Sequence, residues 1–153
     1  MKWLETDFGL YVLCPDSYVS DWAGTEAEAV AAEQTGRVGL PDHGDVLTFG
    51  GEPLPVAYLP QVVTFVRWVA AENDESLESA VHDAQSSEWQ DLFDVSLEGP
   101  YTLMDSGVPG DDVSEEDVIR LEVAKGTYRV QSLTVLPDDE SVFQLDRLVP
   151  VSS

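Results

Sequence analysis

Residues 117–136 read DVIRLEVAKGTYRVQSLTVL. Apolar and polar side chains alternate on both sides of Lys125-Gly126, which is the period of a strand and not of a helix. Before that dipeptide, Ile119, Leu121 and Val123 fall on one face, and Val118, Arg120, Glu122 and Ala124 on the other. Lys125-Gly126 reads as the tight turn of a hairpin between two strands. The fold class depends on this stretch, because its pattern recurs through the C-terminal half. WQDLFDVSL (89–97), YTLMDS (101–106) and SVFQLDRLV (141–149) are further strands, separated by EGP, GVPGDD and PDDE.

The N-terminal half mixes signals. LYVLCP (10–15) is apolar on both faces and reads as a buried strand. PDSYVSDWAG follows as a short helical turn, with Asp16 or Ser17 near its start and Gly24 past its end. TEAEAVAAEQ (25–34) is rich in Ala and Glu, with Thr25 as N-cap and Gly36 as stop, and reads as a short helix. Strands are expected over 37–40, 46–49 and 62–70. The last, VVTFVRWVA, sets Val62, Thr64, Val66 and Trp68 opposite Val63, Phe65, Arg67 and Val69. ENDESLESAVHDAQ reads as a helix from near Asn73 or Asp74, with Leu77, Ala80, Val81 and Ala84 as its apolar stripe. The expected fold is α+β: a mainly antiparallel β-sheet with two or three short helices in the N-terminal half, in one compact domain over 1–153.

Thirty acids face seven bases, a formal net charge of −23 in 153 residues. Both halves share it: residues 1–75 carry 13 acids and 3 bases, and residues 76–153 carry 17 and 4. The acidity is therefore not a tail on a neutral domain. Hydrophobic residues make up 43% of the chain, enough for one core and too many for a disordered segment. Such a charge repels nucleic acid and anionic lipid, and it attracts basic proteins. A host with acidic proteins throughout is the rival explanation.

Cys14, the only cysteine, excludes an internal disulfide, and its apolar surroundings point to a buried structural thiol. No signal segment or membrane span is apparent, so a cytoplasmic protein is expected. His43 and His82 do not form HExxH, and no nucleophile elbow or phosphate-binding Gly-rich loop occurs. Counted from Asp105, a calcium loop would need side-chain oxygens at Gly107 and Pro109, which have none. Neither a metal, a cofactor nor a catalytic residue is expected.

Three features carry functional readings. Asp111, Asp112, Glu115, Glu116 and Asp117 place five acids within seven positions, as a loop facing a basic partner or a solvated surface. Arg67 lies on an apolar face, either in an internal ion pair or facing a partner; the ion pair is the stronger reading. Trp22 and Gly24 form either a plain helix end or an exposed aromatic anchor, and again the structural role is the stronger.

Taken together, KWLE, LYVLCPDSYVSDWAG, GDVLTFGGEPLPVAYLP, FVRWV, LMDSGVPG, GTYRV and PDDESVFQLDRLVP resemble the immunity protein 21 family of bacterial polymorphic toxin systems. They span nearly the whole chain in order. Trp22 and Gly24 match the family's Trp-x-Gly motif. Trp3, Gly44, Asp45, Pro53, Leu54, Pro55, Arg67, Trp68 and Arg147 fall in matching segments. One departure is Phe8-Gly9-Leu10, where members carry a Gly-Gly-Pro-like turn. The resemblance implies a non-enzymatic α+β protein that neutralises a cognate toxin by stoichiometric binding. The partner is expected to be a basic toxin domain, with no nucleic acid and no membrane bound. A toxin gene immediately upstream would favour this reading. Two rivals are an acidic nucleic-acid mimic that inhibits a DNA- or RNA-binding enzyme, and an enzyme using a pair of carboxylates.

Overall fold

The alternation around Lys125-Gly126 does not fold into a hairpin. Residues Ile119–Asp138 form one 20-residue strand, and its partner Gln90–Asp105 is one strand of 16. The two break signals of the sequence, EGP and KG, lie opposite each other in this ribbon. Leu97 pairs with Gly126 and Gly99 with Val123, so Glu98 alone opposes Ala124 and Lys125. That is a β-bulge, which bends a strand without ending it. Gly99 adopts φ 86°, a left-handed conformation that favours glycine. The true tight turn comes later, at Asp139-Glu140, where Asp138 pairs with Ser141. The Asp138 carboxylate accepts the Glu140 N–H (2.9 Å) and the Ser141 hydroxyl (3.1 Å).

A computed structural model describes residues 3–5, 11–19, 36–40, 44–49, 54–105, 114 and 117–151. Its strands are β1 (Tyr11–Pro15), β2 (Gly36–Leu40), β3 (Gly44–Phe49), β4 (Val56–Leu59), β5 (Thr64–Ala70), β6 (Gln90–Asp105), β7 (Ile119–Asp138) and β8 (Ser141–Pro150). They form one sheet in the order β2-β3-β1-β6-β7-β8-β5-β4, with every pairing antiparallel, curled into a half-barrel. Leu4 bridges to Val56 at the β4 edge through bonds of 2.7 and 2.9 Å.

The α+β expectation with two or three short helices in the N-terminal half is corrected by this sheet. Among the described residues, α1 (Asp16–Val19) is a single turn, and one helix is longer, α2 (Leu77–Ala84), between β5 and β6. A short helix holds by packing an apolar stripe, and α2 has one: Leu77, Val81 and Ala84 are buried. The helix expected over 25–34 lies outside the described residues. So does the part of PDSYVSDWAG beyond Val19. The strand expected from Val62 starts at Thr64, because Pro60–Val62 is a 3-10 turn and Val63 is left-handed (φ 45°). Val118, grouped with the outward face, is 3% exposed. It precedes the strand, after a turn in which the Asp117 N–H donates to the Ser114 carbonyl, so the period does not govern it.

Two apolar clusters occupy the two faces of the sheet. The inner face gathers Tyr11, Leu13, Leu47, Val56, Phe65, Val95, Leu97, Tyr101, Leu103, Val123, Tyr128, Val130 and Leu148, which come from seven strands. Only the concave side of a curled sheet lets so many strands converge. The outer cluster lies under α2 and joins Val66, Phe143 and Leu145 to Leu77, Val81, Ala84 and Trp89.

Candidate functional site

Neighbouring residues of β5 point to opposite faces, and this separates Arg67 from Trp68. Phe65 pairs with Asp146 and Arg67 with Gln144, so Arg67 and Asp146 share the inner face. Arg67 Nη2 lies 3.2 Å from Asp146 Oδ2, with the side chains 12% and 2% exposed. Burial pushes the Asp146 carboxyl above the usual carboxylate range, while the Arg67 guanidinium pulls it back. Beside the pair, the Gln144 amide donates to the Ser132 hydroxyl, and the Thr134 hydroxyl donates to Gln144 Oε1 at 2.7 Å. Arg67 therefore has the internal acid that its apolar strand face demanded.

Trp68 belongs to the outer face. Its ring stands edge-on to Trp3 (5.1 Å) and Phe143 (5.7 Å), and its Nε1–H donates to the Ala71 carbonyl at 3.2 Å. Trp3 Nε1–H donates to Asp74 Oδ2 (3.0 Å), which ties the N-terminal segment to the approach to α2. Arg147 lies over the Trp89 ring at 4.0 Å and donates to Gln131 Oε1 at 2.9 Å. Partial burial lowers the pKa of Arg147. Asp45 accepts the Ser96 N–H at 2.7 Å and so ties β3 to β6. Cys14 is fully buried, and burial pushes its thiol up to about 12, far from a nucleophile.

A groove of ≈ 520 Å³ opens on the inner side. One wall is the start of β7, residues 119–124; the other is Tyr58, Pro60 and Val63, with Tyr128 and Leu148 between. Val63 is β-branched and left-handed, a strained combination. It is held by its N–H to the Pro60 carbonyl (3.4 Å) and by the Leu148 N–H donating to its own carbonyl (3.1 Å). Ile119 and Leu121 are partly buried against the inner cluster, on the face expected for them.

The model of the family described as Immunity protein 21 matches residues 2–141. The chain belongs to the immunity protein 21 family. Membership makes it an immunity protein, with a toxin as its counterpart. No curated protein and no solved structure matches the chain. Within the immunity protein 21 match, Arg67 pairs with Asp146, Trp68 stands edge-on to Trp3, and Asp45 bonds β3 to β6. Trp22 and Gly24 lie outside the described residues, as do Asp111, Asp112, Glu115 and Glu116. Asp117 is exposed. His82 is exposed on α2 and His43 lies outside the described residues. Among the described residues, no group of three or more His, Cys, Asp or Glu is placed to hold a metal, and no helix is long and apolar enough to cross a membrane. Sequence reasoning named Ile119, Leu121 and Val123 as an inward face but missed the groove they border. No local signal marks it, because its opposite wall is about 60 residues away in the chain.

Proposed function

We propose that this immunity protein neutralises its toxin by stoichiometric binding in the cytoplasm, without catalysis, and that its acidic surface draws in a basic toxin domain. The observation that carries this reading is a net charge of −23 spread over both halves of a family member. A field of one sign raises the rate of encounter with an oppositely charged partner, and rapid capture protects the cell that makes the toxin. Asp111, Asp112, Glu115, Glu116 and Asp117 form the densest part of that charge and are proposed to steer the approach.

The test is association kinetics with the toxin domain encoded beside this chain's gene, at low and high salt. Changing all five acids to Lys alters the local charge by ten units and should slow association markedly at low salt. The difference should shrink near physiological ionic strength, where screening acts within about 8–10 Å. Thermal melting checks that the variant is folded. An unchanged association rate at low salt would show that these five acids form a solvated face.

A further inference from the structure

At its C-terminal end β7 outruns β6. Their ribbon begins at Gln90↔Ser132, so from residue 133 the described neighbour of β7 in the sheet is β8 alone. α2 does not close the gap. A groove of ≈ 460 Å³ lies between its Ser76, Ser79, Asp83 and Ser87 side and the strand from Leu133 to Pro137. Leu136 in that wall is 68% exposed, so no other part of the chain covers it. The direction of the main chain here follows from the β8 register. The Val151 N–H donates to the Thr127 carbonyl, which makes Tyr128↔Pro150 a pair that exchanges no main-chain bonds. The register runs unbroken to Val135, so Val130, Ser132 and Thr134 stand in pairs of the same kind. The Leu148 N–H agrees: it donates to Val63 and not to Val130 opposite. The N–H and C=O of Val130 and Ser132 therefore turn toward β6. Those of Thr134 turn the same way, past the start of β6 and into the groove that Thr134 lines. Among the described residues these two groups have no partner.

We infer that a basic, extended segment of the toxin docks in the groove between α2 and the end of β7. It bonds the Thr134 main chain and packs an apolar side chain on Leu136. This inference rests on the toxin-binding reading above. Main-chain bonds supply affinity, and the side chains that enter the groove supply specificity. Charge selects the occupant. Asp83 is the one ionisable side chain among the described lining residues. Glu88 follows Ser87, and Asp138, Asp139 and Glu140 follow Pro137, all four exposed. The basic groups of this outer face do not line the groove. Arg147 lies over the Trp89 ring and bonds Gln131, Arg129 is paired with Asp94, and His82 lines a separate cleft with Glu78. A Lys or Arg of the toxin segment therefore meets Asp83 and an acidic rim. A second copy of the chain would set the same acids against each other and bring two bodies of −23 together.

Ser79→Arg tests the groove. Ser79 is exposed on α2, and Arg is a good helix former, so the variant fills the groove and adds one positive charge without disturbing the core. Calorimetry with the toxin domain encoded beside this chain's gene should show binding weakened about tenfold or more. Glu98→Gln, the same change of net charge at the exposed bulge, should weaken it by less than about twofold. Amide exchange of wild-type Thr134 should slow at least about tenfold on binding, a readout that needs no variant. If wild type binds but Ser79→Arg binds as tightly, or the Thr134 amide gains no protection, docking in this groove is wrong and the toxin-binding reading stands. Equal weakening by Ser79→Arg and Glu98→Gln would also overturn it, because net charge alone would then account for the loss. If wild type does not bind the domain, the toxin-binding reading fails and takes this inference with it. Concentration-dependent dimerisation of wild type that Ser79→Arg abolishes, with toxin binding unchanged, would assign the groove to a second copy instead.

Discussion

Among the described residues, β7 between 119 and 123 has a strand on one side and a groove on the other. From residue 128 to 132 it has strands on both sides, and further on, where β8 is its described neighbour, α2 packs over its outer face. Both stretches alternate apolar and polar residues. In the second, Val130 is fully buried and Leu133 and Val135 pack under the helix. In the first, Ile119 and Leu121 stay partly exposed at the groove. The same local pattern thus serves a closed core in one place and an open margin in the other. Core residues in the closed region should govern stability more than those at the margin do. That division can be broken by substitution.

The largest effect is expected at Phe143, fully buried and in ring contact with Trp68 and Trp3. Phe143→Ala should destabilise the fold by ~4 kcal/mol, from lost transfer energy and a cavity. Denaturant titration measures this. A loss below ~1 kcal/mol would mean that α2 and the Trp pair do not close this region.

Asp146 comes next. Asp146→Ala removes the acid paired with the largely buried Arg67 guanidinium and should cost ~3 kcal/mol, whereas Arg67→Met with Asp146→Leu should recover most of it. The pair also gives stability a pH dependence of known sign. Burial raises the Asp146 carboxyl, so the folded state holds this proton more tightly than the unfolded state does. Its contribution is fully present below the unfolded value of about 3.9 and is lost as pH rises through the raised folded value. Relative to the double variant, wild type should therefore gain stability as pH falls from neutral toward that range. A steady relative loss on acidification would show that Arg67, and not burial, dominates the carboxyl.

The smallest effect on stability is expected at the open margin. Leu121→Ser should cost ~1 kcal/mol by denaturant titration, since its side chain already meets solvent. A large stability loss there would make the margin an ordinary part of the core.

Much of the sheet was legible because strand alternation is a local property, set by neighbouring residues two apart. β1, β2 and β3 lie within a residue or two of their expected bounds, α2 carries its predicted stripe, and the inward face of Ile119, Leu121 and Val123 is observed. Charge, the single buried thiol and the family resemblance also came from the residues themselves. Pairing is not local, and that is where the reading stopped. EGP and KG each look like a chain reversal, and only their meeting across the β6–β7 ribbon turns them into one bulge. Arg67 announced its need for an acid, but the acid is Asp146, 79 residues away. Among the described residues, the start of β7 pairs with β6 alone because β8 ends at Pro150, opposite Tyr128, and nothing within residues 119–126 records that. Side-chain periodicity fixes which face a residue takes; what lies against that face depends on strands brought together from distant parts of the chain.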